Sequence, residues 1–430
     1  MILRDPVHGL VAFESDEEEI VERLMDTPEV QRLRRVRQLG VTSLAFPGAE
    51  HSRFAHAIGA AFVMKLLLAR LRAIHGALPE AQRVTPGRAR EALAAALLHD
   101  LGHGPLSHLF EDAIPGTPAH ETWTQRIVLD PSTGVHGVLA GVDPSLPSRV
   151  ADLVCGRHEV AYLARAVSGE FDVDRCDYLL RDAHATGVRY GVYDLDWLLR
   201  SLRFTADADP SRAPSLAIDG AKGLPAIEAF ITARLFMFQQ VYLHKATRAA
   251  EWMIRTILAR AVQLLRGGGQ LESLPAAVAA GARGEPVALG DYLELDDGVL
   301  WGAMHAWENA RDAALADLCR RIRARALFKT LELFGEQASA EGRARALEVA
   351  RDVARGRGLD PEAYVGIDVA SDEPFGGEPE PLMVVYAKGP ARPLHEVSFL
   401  LGRLAGQALS RVRLVLAPEL RAPVTHALGL

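Results

Sequence analysis

Apolar residues recur at three- and four-residue spacing through Gln31–Gly40, Arg53–Leu71, Arg88–Leu98 and Leu224–Leu265. That period places them on one face of a helix, so residues 16 to 350 read as a succession of helices. Strand signals there are few. Ser201–Asp219 reads as a hairpin with its turn at Asp209-Pro210-Ser211, and the Gly/Ala-rich stretch Gly267–Gly284 reads as a loop. Nearer the C-terminus the short valine-containing runs Leu382–Tyr386 and Val412–Leu416 read as buried strands, and Glu341–Arg355 as an amphipathic helix. The pattern predicts a mainly α protein: a helical domain over residues 1–335 carrying a short β-hairpin, and a smaller C-terminal α+β lobe over 336–430.

Composition narrows the function classes. Of 430 residues, 49% are hydrophobic and 24% charged, enough to bury a sizeable core. The most apolar stretch, Ile58–Ala69, is broken by Lys65 and closed by Arg70, so no membrane span is expected. Arg4 and Asp5 precede any apolar run, which speaks against a secretory leader and makes the cytosol the expected compartment. Three cysteines, Cys155, Cys176 and Cys319, build neither a disulfide framework nor a zinc knuckle. A net charge of −7 argues against a generally basic nucleic-acid binder and leaves local patches open.

The chemistry gathers in ALLHDLGHGPLSHLFED, residues 96–112. An apolar helix ends in His99-Asp100, which together offer one metal a nitrogen and a hard oxygen. Gly102 and Gly104 let the backbone turn, and His103 and His108 follow. Two glycines and a run of polar side chains interrupt an apolar helix where packing alone favours Leu or Ala. A second histidine is available in His51-Ser-Arg-Phe-Ala-His56, and a further carboxylate in FDVDRCDYLLRDAHATG, residues 171–187, at Asp174, Asp177 or Asp182. A set H…HD…D with each member at a helix end suits a mononuclear site with positions open to water and phosphate.

These segments resemble the HD-domain superfamily of metal-dependent phosphohydrolases, and more closely the deoxynucleoside triphosphate triphosphohydrolases. The matching segments, in order, are RDPVHG (4–9), DTPEVQRLRRVRQLG (26–40), FPGAEHSRFAHAIG (46–59), HDLGHGPLSH (99–108), HE (120–121), DVDRCDYLLRDAHATG (172–187), QQVYLHK (239–245) and ARALFK (324–329). The resemblance implies an HD-domain helical core at about 50–190. It implies one divalent metal on His56, His99, Asp100 and Asp174, and leaves iron, manganese, magnesium, zinc and nickel open. It assigns catalysis to His108, supported by His103, His120 and Glu111. Arg53, Arg175 and Arg234 fall on phosphate contacts, Arg175 standing where the SAM-containing members have lysine. Gln38 and Asp182 fall on groups that bond the 3′-hydroxyl, Leu39 and Tyr242 on groups that crowd the 2′ position, and Tyr178 on an aromatic near the sugar. Phe238 departs from the histidine of the SAM-containing members, which bears on base preference.

The implied reaction is hydrolysis of a dNTP at the α-phosphorus to a deoxynucleoside and inorganic triphosphate. His108 would protonate the leaving 5′-oxygen. The resemblance also implies a homo-oligomer, dimer or tetramer, with a nucleotide activator site between subunits. There Asp26, Gln31 and Arg34 match guanine contacts, and Arg203, Arg325 and Lys329 match phosphate contacts. Two other readings stand beside this one: an HD phosphohydrolase acting on a monophosphate or signalling nucleotide, and a non-catalytic protein that senses nucleotides or binds nucleic acid.

Overall fold

The computed structural model describes residues 1–429 apart from 115, 170, 206–213, 374 and 376–380, with all side chains there except those of residues 77, 108 and 112. The chain opens with an antiparallel hairpin, β1 (Ile2–Asp5) against β2 (Gly9–Ala12), with Leu3 opposite Val11. Then come α1 (Glu19–Met25), α2 (Pro28–Arg32), the long α3 (Arg53–Ile74) and α4 (Pro86–Leu98). The chemistry-bearing segment continues through α5 (His108–Ala113), α6 (His120–Leu129), α7 (Gly134–Ala140), α8 (Leu146–Val154), α9 (Ala161–Val167) and α10 (Val173–Thr186).

Three of these helices position the site. Ser52 accepts from the Ala55 amide at the start of α3, and Thr85 does the same for Arg88 at α4, with Pro86 in the first turn. Asp172 accepts from the Arg175 amide at the start of α10, and Gly187, at φ +78°, closes it in the left-handed conformation. Ala57, Gly59, Ala60 and Ala61 are fully buried on α3 or nearly so, and these small residues let α4 and α10 pack close against it. The Ile, Leu and Val side chains around them form one hydrophobic cluster, each contributing about 1.5–3 kcal/mol on full burial.

The chain goes on through α11 (Leu195–Arg200), β3 (Leu202–Phe204), β4 (Leu216–Asp219) and α12 (Leu224–Met237) to α13 (Lys245–Arg266). After α14 (Ala276–Arg283), α15 (Leu289–Leu293), α16 (Asp297–Trp307) and α17 (Ala313–Arg323) come β5 (Lys329–Leu333), α18 (Ala340–Gly356), α19 (Pro361–Tyr364) and β6 (Val365–Asp372). The last elements are β7 (Met383–Val385), β8 (Arg392–Pro393), α20 (Leu394–Val397), α21 (Phe399–Leu404), β9 (Leu409–Leu416) and α22 (Arg421–Leu428). Strands β5, β9 and β6 form an antiparallel sheet with β9 in the centre, packed on α13, α18 and α22 in a second hydrophobic cluster. Strand β7 lies parallel to β4, Val384 opposite Ile218, and so extends the β3–β4 hairpin. The protein is mainly α, as the pattern predicts, and no helix among the described residues is long and apolar enough to cross a membrane.

The structure corrects three local expectations and adds one strand. Gln31–Gly40 is not one helix: α2 gives way to a single tight turn at Leu33–Arg35, because the next residues bond the loop before α3. There Gln38 N–H donates to the His51 carbonyl and Arg53 N–H to Val36. Leu224–Leu265 is two helices, separated by a π-helical turn at Phe238–Tyr242 and a break at Leu243-His244. The expected loop Gly267–Gly284 contains α14, since its alanines find a buried seat against α13. Strand β6, whose Val365, Ile367 and Val369 alternate, is an element the pattern reading above leaves out. The hairpin at Ser201–Asp219 forms, while its turn at Asp209-Pro210-Ser211 lies outside the described residues.

Candidate metal centre and active site

Four donor groups converge from three elements. His56 sits in the first turn of α3, His99 caps the C-terminus of α4 with Asp100 beside it, and Asp174 is in the first turn of α10. His56 Nε2 lies 3.2 Å from His99 Nε2, 3.0 Å from Asp174 Oδ1 and 3.7 Å from Asp100 Oδ2. His99 Nε2 lies 3.5 Å from Asp174 Oδ1 and from Asp100 Oδ1. Donors sharing one ion at about 2.1 Å stand about 3–3.5 Å apart, so His56, His99 and Asp174 fit a single divalent cation, with Asp100 at the edge of the group.

The remaining ring nitrogens reinforce that fit. His56 Nδ1 donates to Asp177 Oδ2 at 2.8 Å, and His99 Nδ1 to the Ala96 carbonyl at 2.9 Å. With each proton on Nδ1, both Nε2 lone pairs face one another, an arrangement that a cation between them relieves. Without a cation, burial opposes charge on His56, but the Asp174 and Asp177 carboxylates outweigh it and push its pKa up, so that a proton takes the Nε2 position a metal would otherwise fill. The surroundings favour positive charge at this point.

Asp100, His103 and His120 form a second gathering. His103 Nε2 lies 3.3 Å from Asp100 Oδ1, and the His103 and His120 rings stack at 3.8 Å. Glu111 faces both, its Oε1 3.6 Å from His103 Nδ1 and its Oε2 3.4 Å from His120 Nδ1. The Arg53 guanidinium donates to Asp100 Oδ2 and to the Ser107 hydroxyl. Its fixed charge disfavours a second cation here. Burial and Arg53 together hold the His103 pKa well below the usual histidine value, so His103 is a neutral hydrogen-bonding group at pH 7.

His108 begins α5, but its side chain lies outside the described residues. Just before it, Leu106 and Ser107 adopt φ of +57° and +62°, strained for residues other than glycine. Asp297, at the start of α16, holds this corner by accepting from the Leu106 amide at 2.8 Å and the Arg37 amide at 3.0 Å. Consecutive left-handed residues kept in place by a buried carboxylate are typical of a functional turn.

A cavity of about 610 Å³ opens beside the donors, within the range of about 300–1,000 Å³ of small-molecule sites. Gln38, Leu39, Arg53, Asp100, His103, His120, Asp174, Tyr178, Asp182, Phe238 and Tyr242 all line it. Asp182 is gripped from two sides: His51 Nε2 donates to Oδ1 and the Tyr242 hydroxyl to Oδ2, both at 2.7 Å. Burial and the Asp182 charge push the Tyr242 pKa well up, keeping the hydroxyl a donor. Arg175 and Arg234 stand off the lining. Arg175 bonds the Gly169 carbonyl and Asp172, and Arg234 meets Asp372 at 3.3 Å beside the Phe238 ring.

The six expected regulatory residues fall in three places. Gln31 and Arg34 bond each other at 2.8 Å, close in sequence to Asp26, which ends α1. Arg325 and Lys329 line a cavity of about 240 Å³ with Lys245 and Arg421. Arg203 pairs with Asp219 beside another cavity.

Sequence reasoning missed several groups. His51, to which the resemblance gives no role, supports Asp182. Arg248, Glu251 and Arg255 of α13 and Val369–Ser371 of β6 complete the cavity wall. The charges of α13 look like a solvated face in the sequence, and only the folding-back of β6 turns them inward.

Comparisons with known proteins bear on the family of the chain. The HD-domain family model matches residues 53–182, from Arg53 to Asp182. The Bacillus subtilis protein YwfO, itself uncharacterized, is 35% identical over 414 residues, 94% of this chain and 89% of YwfO. The Dictyostelium discoideum homolog of the deoxynucleoside triphosphate triphosphohydrolase SAMHD1 is 31% identical over 282 residues, covering 63% of this chain and only 51% of that protein. A phosphohydrolase structure from Bacteroides thetaiotaomicron superposes with a TM-score of 0.80 at 27% identity, covering 97% of this chain and 99% of that one. With its metal-type donor residues inside the matched region, the chain belongs to the HD-domain phosphohydrolase family and resembles the deoxynucleoside triphosphate triphosphohydrolases.

Proposed function

We propose that the protein hydrolyses deoxynucleoside triphosphates at the α-phosphorus, releasing a deoxynucleoside and inorganic triphosphate. The observation that carries this reading is one cavity lined both by Asp100 and Asp174 of the metal-type donor set and by the bonded pair Asp182 and Tyr242.

His56, His99, Asp100 and Asp174 would hold one divalent ion. When bound, such an ion lowers the pKa of water and offsets charge on phosphoryl oxygens. Arg53, fixed on Asp100 and Ser107 at the cavity wall, neutralises the α-phosphate and is preorganised to do so. Neutral His103, stacked on His120, bonds the same phosphate, and Glu111 orients both rings. Water oxygen bonds to the α-phosphorus, the bond to the 5′-oxygen breaks, and His108 gives that oxygen its proton. Arg175 and Arg234 reach the outer phosphates by leaving Asp172 and Asp372.

Asp182 accepts from the 3′-hydroxyl through lone pairs not used by His51 and Tyr242, and Gln38 assists. Leu39 and Tyr242 fill the space a 2′-hydroxyl would need. The resemblance extends to a nucleotide activator site between chains of a homo-oligomer, to which Asp26, Gln31, Arg34, Arg203, Arg325 and Lys329 would contribute. Residues 1–335 would form the catalytic domain, and the 336–430 lobe contributes β6 to the cavity wall.

The test is product separation after incubating the protein with each dNTP and NTP and Mn²⁺ or Mg²⁺. Deoxynucleoside with triphosphate supports the proposal. Orthophosphate or a nucleoside monophosphate assigns the site to another phosphate ester.

A further inference from the structure

The turn between β1 and β2 reaches the back of the metal centre. His8 Nε2 donates to Asp177 Oδ1 at 2.6 Å, and Asp177 Oδ2 accepts from His56 Nδ1 at 2.8 Å. The Asp177 and His56 side chains are 0% exposed and His8 is 5%. Arg181 donates to both Asp177 oxygens, at 2.8 and 2.9 Å, and its Nη1 to Asp5 Oδ2 at 2.8 Å. The other Asp5 oxygen accepts from the amides of Val7 and His8, fixing the turn that presents the imidazole. The RDPVHG segment is thus a clasp, with Asp5 on Arg181 and His8 on Asp177.

We propose that His8 is a positioning residue of the metal centre: held by the N-terminal hairpin, it fixes the Asp177 carboxylate, which in turn fixes the tautomer and aim of His56 Nε2. The inference rests on His56 being a metal ligand. Arg181 alone draws both Asp177 oxygens toward itself. The opposing His8 donor keeps Oδ2 directed at His56. Partners one shell out from a ligating histidine set its basicity and orientation, and their loss weakens metal binding about ten- to a hundredfold.

Equilibrium dialysis of the metal-stripped full chain against Mn²⁺ tests this, alongside the melting curve of each metal-free variant. His8→Ala and His8→Phe should bind Mn²⁺ about ten- to a hundredfold more weakly than wild type. The second keeps ring volume beside Phe62, whose centroid is 5.5 Å away, and serves if the first does not fold. His8→Gln, whose amide still donates to Asp177, should recover most of the affinity. A folded His8→Phe that holds Mn²⁺ as tightly as wild type overturns the proposal, and so does a His8→Gln as weak as His8→Phe. A wild-type chain that takes up no Mn²⁺ overturns the metal reading itself, and the two failures are thereby told apart.

Discussion

Gly59 of α3 faces Asp177 of α10 so closely that a β-carbon on Gly59 would overlap the Asp177 Oδ1 atom and crowd the Arg181 guanidinium. The glycine is what lets α10 bring Asp177 up behind His56. Gly59→Ala is expected to displace that carboxylate and destabilise the protein by about 1–3 kcal/mol, as overpacking does. Chemical denaturation checks this. An unchanged midpoint would show that the two helices are not so tightly fitted.

Asp5 links the hairpin to Arg181, and its protonation gives a signed pH prediction. Burial acts to raise its pKa, but Arg181 and the Val7 and His8 amides outweigh it and leave it below the usual carboxylate range. A depressed carboxylate contributes stability that is complete above its unfolded pKa of about 3.9 and is lost as pH falls through the folded value. Asp5→Asn should therefore be less stable than wild type at pH 7, and the gap should shrink below about pH 4. A gap independent of pH, followed by thermal melts, contradicts the assignment.

Tyr242 both donates to Asp182 and fills the cavity beside Leu39. Tyr242→Ala is expected to open room for a 2′-hydroxyl and to narrow the preference for dNTP over NTP about tenfold or more, measured as the ratio of kcat/KM values. Tyr242→Phe keeps the bulk and should keep most of that preference. An unchanged ratio in Tyr242→Ala would place sugar discrimination elsewhere.

The helical core was legible because its periodicity is strong over long runs, as in Arg53–Leu71, and because caps such as Thr85-Pro86 mark the ends. The donor set was legible because His99-Asp100 breaks an apolar helix that has no packing reason to break. What stayed hidden depends on long-range contact. His8 and Asp177 are 169 positions apart, and nothing local in Asp5–Gly9 announces a partner on α10. The i, i+3, i+7 charges Arg248, Glu251 and Arg255 read as an exposed face until β6 folds over them. Strand β6 does alternate Val365, Ile367 and Val369, yet Asp368 between them is buried while Val369 is exposed, so its inward face is not the one that alternation suggests, and its pairing with β9 settles it as a strand.

The account centres on one divalent ion held jointly by His56, His99, Asp100 and Asp174. Elemental analysis of the purified wild-type chain, beside His99→Ala and Asp174→Asn of matched secondary structure, tests this most directly. The account predicts about one equivalent in the wild type after reconstitution and little in either variant. Equal metal content in all three proteins would contradict it.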